Sequence, residues 1–402
     1  MLSQKVEEQL AQRLVDRINE LNTSILKKIG TNIQEISKLT PTAVYQLGQM
    51  IKYGATYNEI AKELAKITGL NIQDIYEIFS QVADTDKYFA RHFYKYRNLD
   101  FIPYKYDIPL QNQVNALATI TADQFYNFSN TSIIGYVFKD TEGKNIFKDI
   151  QQTYYDVVDK AILSIAQGKT DFYSEMRKTL KQLGGSGLVV YDSGHTRRLD
   201  SAVRMNVLDG LQDLHNELTM RFGEEYGADG VEISVHENPA VDHEDIQGKQ
   251  FSLEEFDKLE AGGIAKDVNG NEYNGAEKRA IGEMNCRHRV INIIIGVTNP
   301  DYSEKELKEI QERNDKGFEF EGKHYTMYDG TQLQRRIETE IRKAKDTQIL
   351  ARASGDKELI DESQTKITHL TNKYNDLCKI SGLEPQKKRM SVSGFRRVKA
   401  WK

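Results

Sequence analysis

The stretch GVEISVHENPAVDHEDIQGKQF (residues 230–251) decides how the middle of this chain folds. Its first ten residues alternate apolar and polar positions and end at a proline, which predicts a strand that stops at Pro239. The segment that follows is dense in histidine, acid and amide side chains. Such groups beside a strand end predict either a buried polar corner, in which every group is paired, or a metal or catalytic site.

The flanking sequence extends this strand into a small sheet. CRHRVINIIIGVTNP (residues 286–300) is the most strand-like run of the chain, and DVNGNEYNG (residues 267–275) predicts a tight hairpin. Between the first strand and the hairpin, Ser252 followed three residues later by Glu255 predicts a capped helix. The middle of the chain is therefore predicted to be α+β.

Helical patterns dominate elsewhere. An apolar stripe from Leu2 to Ile29, with spacings of three or four residues, predicts an amphipathic helix that needs a partner or the rest of the chain to cover it. Two long helices are predicted at about 331–352 and 356–381, after a hairpin. The glycines of LGGSG (183–187) predict a hinge. We predict an α+β, predominantly α-helical fold in four regions: a helical N-terminal region (1–183) as a docking candidate, a small central α+β domain with a short sheet (184–300), a hairpin with long C-terminal helices (301–384), and a basic tail (385–402).

Composition excludes several classes of protein. The 402 residues exceed one ordinary core, so two or three domains are expected. The net charge of -5 provides no overall attraction to nucleic acid. The two cysteines, Cys286 and Cys378, predict no disulfide framework and a reducing compartment. No apolar run reaches the roughly 20 residues of a membrane helix, and the N-terminus lacks the pattern of a signal peptide.

Two segments could bind nucleic acid or protein. Residues 58–82 resemble a helix-turn-helix that breaks at Gly69, but the second helix carries acids and no arginine, which favours two packed helices over DNA recognition. Residues 87–109 interleave aromatic and basic side chains. That composition suits stacking on single strands, and it also suits a protein interface, the interpretation that we favour.

Histidine and cysteine side chains raise the question of a metal. His236, His243, Cys286 and His288 are ligand types for zinc, but no CxxC pair or HxxxH helix accompanies them. With Asp242 they define the alternative function, a metal-dependent hydrolase. The spacing favours a structural corner, so we predict no cofactor and expect a chelator to leave the fold unchanged.

Four stretches occur in a distinctive order: YDSGHTRRLDSAVRMNVLDGLQ (191–212), HENPAVDHEDIQGKQFS (236–252), GEMNCRHRVI (282–291) and YTMYDGTQLQRRIETEIRK (325–343). In this order they resemble the phage minor capsid protein 2 family of bacteriophages that infect Gram-positive bacteria. More distantly, they are similar to the phage Mu gene-F type of minor head protein, the head morphogenesis domain. The pattern of that wider group falls here on Arg204, on His243 with Gly248, and on Asn285 with Cys286 and Arg287.

The resemblance implies a minor structural protein of the virion, made in the host cytoplasm and placed inside the head or at the portal vertex. It implies the portal protein, the major capsid protein or both as partners, and no established enzyme activity. Its residues, together with the strand-end pattern, predict a structural polar network in which Asp200 or Asp242 pairs with Arg204 or Arg287. The members of this network are Asp200, Arg204, Asp242, His243, Asp245, Gln247, Gly248, Asn285, Cys286 and Arg287.

The last 18 residues, PQKKRMSVSGFRRVKAWK, contain basic side chains and no acid. Like charges at this density resist packing alone, so we predict a mobile element that binds an acidic protein surface or packaged DNA. The contact candidates are Lys387, Lys388, Arg389, Arg396, Arg397, Lys399 and Trp401.

Overall fold

The computed structural model describes residues 4–38, 53–129, 132–166, 172–192, 195–260, 264–266, 272–277, 279–282 and 286–395. Within these ranges the chain forms ten α-helices, eleven short strands and two 3-10 helices. The predicted α+β, predominantly helical class is therefore confirmed. Among the described residues, no helix is both long enough and apolar enough to span a membrane.

The helices differ widely in length. They are α1 (Gln4–Ile36), α2 (Tyr53–Tyr96), α3 (Ile108–Phe128), α4 (Ile150–Ala166), α5 (Phe172–Ser186), α6 (Leu199–Tyr226), α7 (Leu253–Glu260), α8 (Glu304–Lys316), α9 (Met327–Ser354) and α10 (Lys357–Ser381). The 3-10 helices are Tyr104–Tyr106 and Lys387–Met390.

The strands form four small antiparallel sheets. They are β1 (Ile134–Lys139), β2 (Asn145–Asp149), β3 (Val189–Asp192), β4 (His195–Arg198), β5 (Gly230–Ile233), β6 (Gln250–Ser252), β7 (Ile264–Lys266), β8 (Glu272–Glu277), β9 (Val290–Ile293), β10 (Phe318–Phe320) and β11 (Lys323–Tyr325). The strand orders are β2-β1-β3-β4, β6-β5-β9, β7-β8 and β10-β11. The central sheet and the two hairpins predicted near residues 267–275 and 318–325 are thus present.

Two compact units alternate along the chain. Unit 1 contains Met1–Ala11, Gln73–Asp123 and Met205–Leu333, and unit 2 contains Gln12–Ile72, Gln124–Arg204 and Gln334–Lys402. The four consecutive regions predicted from the sequence are distinguished by secondary-structure pattern and by charge. That division stays a prediction.

The apolar stripe of α1 is covered inside unit 2. Leu14, Ile18, Leu21 and Ile25 are fully buried or nearly so, and a Cβ atom on Gly30 would lie 2.6 Å from the Cβ of Ala353. So close an approach requires a glycine between α1 and α9. The part of α1 in unit 2 is therefore core, which removes it as a candidate docking surface.

Glycines do not break helices where the sequence suggested. Gly69 lies within α2, which continues without interruption through the predicted turn. A mid-helix glycine costs about 1 kcal/mol, and buried Leu64, Ile67, Ile75 and Phe79 on either side outweigh that cost. Both interpretations of residues 58–82, the helix-turn-helix and the favoured pair of packed helices, are wrong for this reason.

The predicted hinge at 183–187 is a site of close packing. Gly184 belongs to α5, and a Cβ atom there would lie 2.5 Å from the Cα of Thr347. Only a glycine permits this contact with α9.

The hairpin β1–β2 was not predicted, because residues 111–183 have a mostly helical pattern. Its turn is formed by Asp140, whose Oδ1 accepts hydrogen bonds from the backbone N–H groups of Glu142 and Lys144. Gly143 adopts a φ of 83°, in the left-handed region that favours glycine.

The described part of the basic tail is packed in unit 2. Arg342 donates to the carbonyl of Arg389 at 2.9 Å, Lys345 to that of Met390 at 2.6 Å, and Thr23 to that of Ser393 at 2.8 Å. The predicted mobility is therefore wrong for residues 385–395. Contact with DNA or an acidic surface stays a prediction, and Arg396, Arg397, Lys399 and Trp401 lie outside the described residues.

Candidate functional site

The candidate site of unit 1 forms where the β5–β9 pairing continues past the strand ends. The backbone N–H of Ser234 donates to the carbonyl of Arg289 at 2.8 Å, and the Arg289 N–H donates to Ser234 Oγ at 2.7 Å. Residues 286–289 therefore run alongside residues 234–236. The following loop returns to the sheet at Gly248, whose N–H donates to the carbonyl of Ile233 at 2.7 Å.

Gly248 makes this return possible. Its φ is 68°, and a Cβ atom there would lie 2.5 Å from Leu307 Cδ2 and 2.9 Å from Val235 Cγ2. Ile246 points into the core beneath the sheet, with Val231 and Val290. The loop is thus fixed at both its backbone and its apolar side.

One cysteine and two histidines meet where this loop faces the segment that enters β9. Cys286 Sγ lies 3.4 Å from His243 Nδ1 and 3.5 Å from His288 Nδ1. One ligand atom from each of the three residues lies within 4.8 Å of the others. All three side chains are buried, with exposures of 4%, 1% and 3% for Cys286, His243 and His288.

His236 completes the group of imidazoles. Its ring centroid lies 4.5 Å from that of His288, at an interplanar angle of 79°. Its Nε2 is buried and has no hydrogen-bond partner within the described part of the chain. The four residues that sequence reasoning named as metal candidates are thus brought together.

Hydrogen bonds fix the orientation of two of the rings. His243 Nε2 lies 2.9 Å from the carbonyl oxygen of Arg279, so Nε2 carries the proton. Gln247 Oε1 accepts the backbone N–H of His236 at 2.9 Å and lies 3.4 Å from His288 Nε2. In this tautomer, the Nδ1 atoms of His243 and His288 each direct a lone pair at Cys286 Sγ.

Burial disfavours charge on three members of this cluster. It lowers the pKa of His288 well below its ordinary value, and the charges of His236, His243 and Arg279 lower it further. Burial also lowers the pKa of His236 and raises that of the Cys286 thiol. A neutral imidazole is therefore favoured at His236 and at His288, and a protonated thiol is favoured at Cys286.

Asp242 is held by an arginine that the sequence did not identify. Arg279 Nη2 donates to Asp242 Oδ1 at 2.8 Å, and its Nε donates to Oδ2. Burial raises the pKa of Asp242, but Arg279 and His243 lower it below its ordinary value overall. Arg287, one of the predicted partners, instead contacts Asp209 at 3.3 Å.

The remaining members of the predicted network divide between the two units. Asp245 is half-buried near the cluster in unit 1, and Asn285 lies outside the described residues. Asp200 and Arg204 belong to unit 2, where Arg204 donates to Gln12.

Asp200 takes part in a buried ionic cluster of unit 2. Arg198 donates from Nε and Nη2 to Asp200 at 3.2 Å and from Nη1 to Asp346 at 3.1 Å. Arg342 Nε lies 3.4 Å from the same Asp200 carboxylate. Sequence reasoning missed Arg198, whose only signal was its place two residues before Asp200.

Unit 1 also exposes an aromatic face between residues 88 and 108. Phe89, Phe93 and Tyr96 follow one another at spacings of four and three, so they share one side of α2. Tyr96 is 87% exposed and Phe89 50%. The exposed members of this aromatic face are Tyr88, Phe89, Phe93, Tyr96, Leu99, Ile102, Tyr106 and Ile108.

Comparison with known proteins gives one match. The family model described as phage minor capsid protein 2 matches residues 2–379. No curated protein and no solved structure matches the chain. The matched range includes the histidine and cysteine cluster, the ionic cluster and the aromatic face.

Proposed function

This chain belongs to the phage minor capsid protein 2 family, and from that membership we propose that it docks on the portal protein inside the phage head. The family makes it a structural protein of the head. The portal vertex as its location, and action in head assembly with DNA packaging or ejection, are our proposal.

The aromatic face carries the proposal of a docking surface. A monomer rarely leaves a contiguous set of large apolar side chains in water. Aromatic residues dominate the energetics of protein interfaces, because they bury much area at little cost in conformational entropy. The stripe of Phe89, Phe93 and Tyr96 provides such anchors.

The basic side chains of this segment favour a protein partner over nucleic acid. Lys87 is 2% exposed and forms an ion pair with Asp107 at 3.4 Å. Arg97 donates to the carbonyl of Tyr226 at 2.9 Å. The guanidinium of Arg91 lies over the ring of Tyr88, 4.3 Å from its centroid. These three cations are engaged within the unit, while the rings of Phe89 and Tyr96 are exposed.

Substitution of the aromatic face tests the docking role. A phage lacking this protein would be complemented with the triple variant Phe89→Ser, Tyr96→Ser and Tyr106→Ser, and copies per purified head would be counted by mass spectrometry. If the three rings include one interface anchor of at least 2 kcal/mol, affinity falls about 30-fold or more and incorporation drops with it.

Ile120→Ser serves as the matched control, because Ile120 is an exposed apolar residue of unit 1 outside this face. It should be incorporated normally. Normal incorporation of a folded triple variant would reject the docking role. If that variant instead lost affinity for single-stranded DNA, the nucleic-acid interpretation would replace it.

A further inference from the structure

We propose that Cys286, His243, His288 and His236 bind one structural zinc ion, which ties the loop after β5 to the segment that enters β9. The proposal does not depend on the docking role. It rests on distances, on a count of protons, and on a buried nitrogen that lacks a partner.

The distances suit a tetrahedral site. With Zn–S of about 2.3 Å and Zn–N of about 2.1 Å, a tetrahedron places sulfur and nitrogen about 3.6 Å apart. Cys286 Sγ lies 3.4 Å from His243 Nδ1 and 3.5 Å from His288 Nδ1. The two edges that the structure shows thus have the length that zinc requires.

The proton count leaves one nitrogen–sulfur contact without a hydrogen, and a metal cation can take its place. Two Nδ1 lone pairs face one sulfur, and a thiol carries a single hydrogen. One of these contacts therefore has no proton between nitrogen and sulfur unless a histidine is charged. A metal ion that accepts electron pairs from all three atoms removes the deficit.

His236 is the fourth ligand. A buried nitrogen without a partner costs free energy, and His236 Nε2 is one, as described above. Its ring makes a hydrogen bond with the backbone of Arg287 and lies nearly perpendicular to the His288 ring, with the centroids 4.5 Å apart. With Nε2 directed to the ion, His236 would complete the coordination by Cys286, His243 and His288.

The surroundings resemble the outer shell of a zinc site. Metal-bound histidines usually donate their second nitrogen to a carbonyl or carboxylate, which orients the ring. The Arg279 carbonyl and Gln247 Oε1 have this role for His243 and His288. A thiolate with imidazoles is a donor set that zinc prefers to magnesium or calcium.

The site is structural because it is closed. A catalytic zinc keeps a coordination position for water or substrate, whereas the ligands here are buried and Asp242 is occupied by Arg279. On binding, the Cys286 S–H bond breaks, a Zn–S bond forms, and the proton leaves to solvent. No oxidant or reductant is needed.

Metal content of the full-length protein tests the proposal. The protein would be equilibrated with zinc sulfate, freed of unbound metal and measured by elemental analysis. We expect about one zinc per chain, a similar value for Cys378→Ala, and less than about a tenth for Cys286→Ala. Cys378 is the matched control, because it is also a buried free cysteine but lies in unit 2.

Two further measurements keep the test decisive if Cys286→Ala does not fold. Contrary to the expectation from sequence spacing alone, the zinc proposal predicts that a chelator lowers the melting temperature of the wild type and that zinc restores it. Gln247→Leu removes the acceptor for His288 and should weaken zinc affinity about 10- to 100-fold. Wild-type protein that retains no zinc and melts identically with and without chelator would overturn the proposal. Equal zinc loss in the two cysteine variants would also overturn it.

Discussion

Arg198→Met should destabilise unit 2 by about 3–5 kcal/mol, the usual cost of removing one partner from a buried ion pair. Arg198 is 8% exposed and joins Asp200 and Asp346, which are 4% and 0% exposed. Methionine would fill much of the volume but leave two buried carboxylates with only Arg342 beside them. The cost therefore comes from unpaired charge.

Two companion variants separate charge from packing. Arg336→Met, at an exposed arginine of the same unit, should change stability by no more than about 0.5 kcal/mol. Adding Asp346→Leu to Arg198→Met should restore most of the loss, because Asp200 keeps Arg342 and no second carboxylate stays buried.

Guanidinium denaturation followed by circular dichroism measures these differences. The reasoning is refuted if Arg198→Met costs no more than Arg336→Met, or if the added Asp346→Leu makes the loss larger.

The same cluster predicts a dependence on pH. Burial raises the pKa of Asp346 to about 6, and the charge of Asp200 adds to the rise against the opposing effect of Arg198. A carboxyl whose pKa is raised on folding stabilises most below its ordinary pKa of about 3.9, and that contribution is lost as pH rises through about 6. Asp346→Asn should therefore remove this decrease in the free energy of unfolding between about pH 4 and 6.

Four other variants test three separate parts of the structure. Burial lowers the pKa of His215, but Asp86 and Glu7 raise it above its ordinary value overall, so its stabilisation is full below about pH 6.5 and is lost as pH rises through the folded pKa. His215→Gln should abolish that loss in urea titrations at several pH values. Gly184→Val should cost about 1–3 kcal/mol by overpacking against Thr347. Gly185→Val, with no atom within 4 Å of its Cβ, should cost less in the same denaturation assay. Deleting residues 1–29 should abolish the cooperative thermal transition of unit 2, and a retained transition would show that α1 is dispensable.

The sequence predicted elements whose signals are local. Ser303 and Glu306 form the predicted capping box of α8, and Ser252 and Glu255 form that of α7. Both require only residues three positions apart. Gly69 was misjudged because the burial that offsets its helix penalty comes from tertiary packing, which local propensity does not contain.

The candidate site was predicted in residue identity but not in arrangement. His236, His243, Cys286 and His288 were named, yet their spacing matched no common zinc motif. The antiparallel pairing past β5 and β9 brings them together, and spacing along one segment cannot show this. Arg279 and Arg198 were missed as partners of Asp242 and Asp200, because the choice among many arginines is made by the fold.

Imaging the portal vertex of intact heads, at a resolution that shows helices, tests the proposed location most directly. We predict density for this chain at the vertex, with the C-terminal end of α2 and the helix Tyr104–Tyr106 packed against the portal protein, so that Phe89, Tyr96 and Tyr106 are covered. Density only along the capsid wall away from the vertex, or at the vertex with the aromatic face open to solvent, would contradict the proposal.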